Sequence, residues 1–191
     1  MMTTLSEQEF LVLNGAHLKK MASANELARA VGVAASDAEA VLNAAADKGL
    51  LMVTEGKYLL LPDGTSAVHE YYTTAYGTLR SNEEVLAWYD RFETINDQFI
   101  KQVSEWQSAD GDDRIQARLI KTVERLIKNI GELTPLIPRY HTYVDRFGAS
   151  VALVDQGEKD YVCKPTLDSV HNVWFEFHED ILSVIGRPRD T

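Results

Sequence analysis

The sequence predicts a mainly α-helical fold in two parts, and three observations carry that prediction. Apolar residues recur at helical spacing through most of the 191 residues. Ser-x-x-Glu signals mark where helices should begin. One place, residues 50–61, holds two short β-prone runs around a tight turn.

Residues 6–20 read as a first helix. Phe10, Leu11, Leu13, Leu18 and Met21 fall near helical spacing, and Ser6 with Glu9 matches a capping box. Ser23 with Glu26 opens a second helix with Leu27, Ala28 and Val31 inward, and Gly32 stops it. Ser36 with Glu39 is expected to cap a third helix, which turns Val41, Leu42 and Ala45 inward and ends at Gly49. Residues 50–54 and 57–61 flank Glu55-Gly56, the pattern of a β-hairpin. Pro62-Asp63-Gly64 closes it, and Asp63 or Thr65 is expected to cap a helix running to about Tyr76. The order helix, helix, helix, hairpin, helix over residues 1–76 is the plan of a winged helix-turn-helix domain.

The second part opens at Ser81-Asn82-Glu83-Glu84. Its helix should run to about Gln107 with Val85, Trp88, Phe92, Ile95, Phe99, Val103 and Trp106 inward, until Ala109-Asp110-Gly111-Asp112 breaks it. A second helix carries Ile115, Leu119, Val123, Leu126 and Ile130, and Pro135 and Pro138 interrupt. A third carries Tyr140, Val144, Phe147 and Val151, followed by a loop over residues 157–165. Thr166 or Asp168 is expected to cap a last helix with Val170, Val173, Trp174, Phe177, Ile181 and Val184 inward, ended by Gly186 and Pro188. Four amphipathic helices over residues 77–191 predict a four-helix bundle-like domain for oligomerisation or ligand sensing.

Composition narrows the class. Hydrophobic residues make up 45% and charged residues 25%, an ordinary globular balance. No apolar run reaches the roughly 18 residues of a membrane span, and the first ten residues lack a secretory pattern. A cytoplasmic protein with no membrane partner is expected. The single cysteine, Cys163, excludes an internal disulfide and a Cys-based zinc site. The net charge is −10. Residues 1–75 hold five basic against nine acidic side chains, and residues 76–191 hold 14 against 20, so neither half is basic. Phosphate backbones repel such a chain at long range.

Asn25-Glu26-Leu27-Ala28-Arg29-Ala30-Val31-Gly32-Val33 resembles the helix-turn-helix of MarR-like and PadR-like regulators. So does Lys48-Gly49-Leu50-Leu51 leading into Tyr58-Leu59-Leu60-Leu61-Pro62-Asp63-Gly64. The same stretch is similar to the N-terminal dimerisation domain of small-molecule O-methyltransferases, which has this fold and does not read DNA. No methyltransferase half follows, because no Gly-rich loop succeeds a strand downstream.

Residues 80–189 resemble an actinobacterial family found alone or fused to enzymes related to pyruvate phosphate dikinase and phosphoenolpyruvate synthase. The likeness rests on Asn96 with Phe99, Trp106-Gln107, Pro138-Arg139-Tyr140 with Arg146, and Pro165. Its most specific stretch is Asp168-Ser169-Val170-His171-Asn172-Val173-Trp174-Phe175-Glu176-Phe177-His178-Glu179-Asp180, with Gly186-Arg187 after it. The family pattern has Tyr where this chain has Val170. The resemblance implies a link to phosphoenolpyruvate or pyruvate metabolism and names no reaction for this segment. The dikinase signature itself is absent.

On the third helix, Ser36, Asp37, Glu39, Ala40, Asn43 and Asp47 should face outward. Base readout favours Arg, Lys, Asn or Gln, so Asn43 alone qualifies, with Ser36, Lys48 and the hairpin's Lys57 as further DNA-contact candidates. The expected function is a DNA-binding transcriptional regulator with a helical sensing or dimerisation domain. The alternative is an accessory protein that docks on a phosphoenolpyruvate- or pyruvate-utilising enzyme through its winged helix or its helical bundle. A homodimer is expected, with the long helix over residues 81–107 as its best interface.

In the second part, Trp106, Gln107, Arg139, Tyr143, Arg146, Asp168, His171, Trp174 and His178 could line a pocket between helices. There Arg139, Arg146 and Lys164 could clamp a carboxylate or phosphate. The plainer alternative is core packing with Arg–Asp pairs. His171 and His178 lie two turns apart, about 10 Å by helix rise and too far to share a metal ion, so no metal is assigned. No cofactor motif and no catalytic motif is present, and no enzymatic activity is expected.

Overall fold

The computed structural model describes residues 4–188. The described chain is mainly helical, with a single small antiparallel sheet. It divides into two compact units: the described residues up to Ser81 together with those from Glu179 onward, and Asn82–His178. Residues 77–81 form a 3₁₀ turn after the preceding helix and lie at the end of the first unit's first segment.

The first unit contains α1 (Glu7–Lys19), α2 (Ala24–Val31), α3 (Ala35–Asp47), β1 (Leu51–Thr54), β2 (Lys57–Leu60) and α4 (Pro62–Ala75). Reciprocal capping boxes at Ser6/Glu9 and Ser23/Glu26 start α1 and α2 as expected. Gly32 ends α2 in the left-handed region, φ 73°, and its N–H donates to the Ala28 carbonyl at 2.9 Å.

Two expected caps are not used. The Ala34 carbonyl already accepts the amides of Asp37 and Ala38 at 3.1 and 3.0 Å, so α3 has begun before Ser36 could cap it. Likewise α4 begins at Pro62, whose missing N–H costs nothing at a first helical position, and Asp63 and Thr65 fall inside the helix. Between the strands, Glu55 and Gly56 both have positive φ, 53° and 72°, the backbone of a type I′ turn.

Phe10, Leu13, Leu27, Leu42 and Val68 are fully buried in this unit, and Phe10 stacks on Tyr71 with ring centroids 4.0 Å apart. Met21, expected inward, is 47% exposed because it lies beyond the end of α1. Gly64 is required where it stands: a Cβ there would run into the Leu50 carbonyl oxygen. The Tyr72 hydroxyl donates to Asn14 Oδ1 at 2.9 Å, and Asn14 Nδ2 donates to the fully buried Asp180 at 3.4 Å.

The second unit contains α5 (Glu83–Ser108), α6 (Asp113–Leu133), α7 (His141–Asp155), the short α8 (Asp160–Cys163) and α9 (Val170–Ile185) as far as His178. Asn82 caps α5, and Asp112 caps α6 by accepting the amides of Arg114 and Ile115. α5 and α6 run antiparallel, laced by Arg91–Glu132 at 2.9 Å, Arg125–Gln98 at 2.8 Å and Arg118–Glu105 at 3.1 Å.

Aromatic rings fill the interior. Phe99 stacks on Trp174 at 3.7 Å, and Tyr140 and Tyr143 meet Phe177 edge-on. Two indoles are anchored by hydrogen bonds: Trp88 Nε1 donates to the Asn129 carbonyl at 2.7 Å and Trp174 Nε1 to Asn96 Oδ1 at 2.9 Å.

The loop expected over residues 157–165 holds the single turn of α8. At the start of α9, the amide of Asn172 donates to Ser169 Oγ at 3.4 Å, while Asp168 is taken by Arg146, so neither Asp168 nor Thr166 serves as the cap. The apolar face of α5 assigned to a dimer is buried within this unit, from Val85 to Val103, which leaves Ile100 as the large exposed apolar residue on that helix.

Candidate functional site

Three places gather the residues that the sequence singled out. The first is the outer face of α3 with the hairpin. Ser36, Asp37, Glu39, Ala40, Asn43 and Asp47 are all exposed, as their spacing required. Of the four candidate DNA contacts, two are engaged. Asn43 Oδ1 accepts from the Tyr58 hydroxyl at 3.4 Å, and the Lys48 ammonium pairs with Glu9 at 3.0 Å. Ser36 and Lys57 stand exposed. Glu9 is held below the usual carboxylate range by the Ser6 backbone amide and then by Lys48. The face therefore presents Asp37, Glu39 and Asp47 with little positive charge to offset them.

The second place is built around Arg146. Its guanidinium makes a bidentate pair with Asp168, Nε and Nη2 each at 3.0 Å, and Nη2 also reaches Glu176 at 2.7 Å. Burial alone would push this guanidinium down, but Glu176 and Asp168 outweigh it and hold it above its ordinary value. Ser150 Oγ ties the same corner by donating to the Asp168 carbonyl at 2.6 Å. Tyr143 lies beside the guanidinium, its ring centroid 5.7 Å away.

Arg146 is thus occupied by two carboxylates of its own chain, and Arg139 stacks over the ring of its neighbour Tyr140. Trp174 sits in the aromatic stack, His171 lies 6.3 Å from Phe99, and His178 packs edge-on to Phe92 at 5.3 Å. This is the Arg–Asp packing alternative, with Glu176 as a third member that sequence reasoning missed. The signal was present: a carboxylate inside the apolar run Val173-Trp174-Phe175-Glu176-Phe177 needs a buried partner.

The third place is a cavity of about 480 Å³ between the α5–α6 turn and α8. Trp106, Gln107 and Lys164 meet here, apart from the arginines, together with Gly111, Lys159 and Cys163. Lys159 fastens one wall by donating to the Gly111 carbonyl at 3.1 Å and to Asp113 at 2.7 Å, and Lys164 pairs with Asp160 at 2.5 Å. Burial pushes the Cys163 thiol up to about 11, so it is protonated at neutral pH and is a poor nucleophile. Among the described residues, no group of three or more His, Cys, Asp or Glu is arranged to hold a metal ion, and no helix is long and apolar enough to cross a membrane.

No protein-family model matches the chain, and no curated protein or solved structure shows significant similarity to it.

Proposed function

We propose that the chain is a regulatory adaptor whose first unit is a winged helix-turn-helix module that docks on a protein rather than on DNA. The order α1–α2–α3–β1–β2–α4, the left-handed turn at Gly32 between α2 and α3, and the type I′ hairpin support the winged-helix reading. One observation carries the choice of partner. The outward face of α3 offers Asp37, Glu39 and Asp47, while Lys48 is neutralised by Glu9 and Asn43 is held by Tyr58. Carboxylates facing a duplex meet like charge, whereas a protein surface can supply complementary cations. The second unit serves as a rigid helical platform. Its resemblance to the family linked with phosphoenolpyruvate- and pyruvate-utilising enzymes makes such an enzyme the first partner to assay.

The reading is tested by fluorescence anisotropy with a mixed-sequence 30-base-pair duplex between 50 and 200 mM salt, alongside calorimetry against a phosphoenolpyruvate-utilising enzyme. No duplex binding is expected at any salt concentration. Binding that weakens steeply with salt would restore the rival, a DNA-binding transcriptional regulator with a helical sensing or dimerisation domain.

A further inference from the structure

The cavity of about 480 Å³ between the α5–α6 turn and α8 has the size of a small-molecule site, and both of its walls belong to the second unit. Local bonds fix those walls. The Gly111 N–H donates to the Trp106 carbonyl at 3.0 Å, and Lys159 ties the same turn to the start of α8 through the Gly111 carbonyl and Asp113. Past Cys163, Asn172 Nδ2 stands 3.2, 2.8 and 2.7 Å from the carbonyl oxygens of Lys164, Pro165 and Leu167, which holds the chain that leaves α8.

Charge in the lining is unevenly matched. Lys159 meets Asp113 at 2.7 Å and Lys164 meets Asp160 at 2.5 Å, so each ammonium already has a carboxylate of its own chain. Asp110 also lines the cavity, and its carboxylate has no partner among the described residues. Three carboxylates against two ammonium groups leave one negative charge over. Trp106 supplies aromatic surface in the same lining. Packing rather than a hydrogen bond holds this half-buried indole: its Nε1 is buried without a partner, and a Cβ on Gly111 would stand 3.3 Å from ring carbon Cζ2. An aromatic ring and an unpaired carboxylate in one cavity suit a cation, because the ring face and the carboxylate both attract positive charge.

We propose that this cavity binds a small organic ammonium ion with an apolar body. The ammonium meets Asp110 and the Trp106 ring, and the body lies along Cys163 and the methylene stems of Lys159 and Lys164. This reverses the clamp for a carboxylate or phosphate expected from Lys164 with Arg139 and Arg146. Lys164 is taken by Asp160, and Arg146 is taken by Asp168 and Glu176. An anion entering the cavity would have to displace Asp160 or Asp113 from its lysine and would meet the like charge of Asp110. The inference goes beyond the docking reading and does not depend on it.

The test titrates the full chain with three probes of one shape and different charge: benzylammonium, benzyl alcohol and benzoate, at constant ionic strength. The readout is the indole N–H resonance of Trp106, identified by its loss in Trp106→Phe. Benzylammonium is expected to shift that resonance saturably, with the alcohol and benzoate weaker by roughly tenfold or more. Asp110→Asn keeps a residue type that tolerates the left-handed φ of 51° at this position, and it should weaken benzylammonium by about fivefold or more. Lys164→Met releases Asp160 and should leave benzylammonium binding as tight as in the parent chain or tighter. Equal binding of benzyl alcohol would mean an apolar cavity that ignores charge and would overturn the proposal. So would benzoate binding as tight as benzylammonium, undiminished binding to Asp110→Asn, weaker binding to Lys164→Met, or no shift at ~50 mM benzylammonium. None of these outcomes bears on duplex or enzyme binding, so the docking reading fails or stands separately.

Discussion

At the residue scale, two buried ionisable groups make opposite commitments. Arg146 is charged and compensated. Removing it alone leaves Glu176 buried without its cation, so Arg146→Met should cost about 3–5 kcal/mol. At this chain length that lowers the melting midpoint by roughly 6–20 °C. The double variant Arg146→Met/Glu176→Leu should recover most of the loss, because it removes both charges together. A single variant that melts within a degree or two of the parent chain would show that the pair is not desolvated as its geometry implies. His17 is the converse case, a half-buried imidazole that is neutral at neutral pH. Burial, then Lys20, then His69 hold it down to about 4, with Asp180 opposing. The unfolded chain therefore binds the proton more readily between pH 4 and 6.5. Stability should fall as pH drops through that window and level off below it. The contribution is about 1–2 kcal/mol once solvent screening is allowed for. Urea midpoints at pH 4.5 and 7 should differ less in His17→Gln than in the parent chain; equal differences would sink the assignment.

At the element scale, caps separate helices whose starts the sequence announces from those whose starts it misplaces. Ser6/Glu9 and Ser23/Glu26 close as reciprocal boxes, so these two starts were legible from spacing alone. Ser36/Glu39 has the same spacing and does not cap, because the short turn after Gly32 brings Ala34 into the capping position first. Spacing cannot reveal which of two nearby residues the chain reaches in extended geometry. The consequence is measurable. Ala34 has extended backbone, φ −66° and ψ 145°, and no side-chain acceptor for the first amides of α3. Ala34→Asp should therefore stabilise the protein by about 0.5–2 kcal/mol, while Ser23→Ala should destabilise it by about 1 kcal/mol. No gain from Ala34→Asp in a urea titration would mean that those amides are already satisfied by water at no cost. The candidate sites were legible in part for a related reason. Outward and inward faces follow from periodicity, which placed Asp37, Asn43 and Asp47 correctly. Which polar groups would find each other, as Lys48 found Glu9 and Lys164 found Asp160, depends on approaches between elements that spacing does not encode.

At the scale of the whole molecule, the helical class and nearly every element were legible because amphipathic period and turn chemistry are local. The partition of the chain was not. The last residues are remote in sequence from the first unit, and nothing in their pattern tells where Asp180 will find Asn14. That contact makes a strong prediction about truncation. Asp180, Ile181, Leu182, Val184 and Ile185 are all buried, and the described residues from Glu179 onward are counted with the first unit. Full burial of an aliphatic side chain is worth about 1.5–3 kcal/mol, so losing four of them is comparable to the whole stability of a small domain. A chain ending at Ser81 should accordingly show no cooperative thermal transition, despite holding every element from α1 to α4. Joining Ser81 to Glu179 through a short Gly-Ser linker should restore one, because it returns the C-terminal turns of α9 and the acceptor for Asn14. A sharp transition in the chain ending at Ser81 would instead show that the four helices and the hairpin close their own core, and that the end of α9 is dispensable to them.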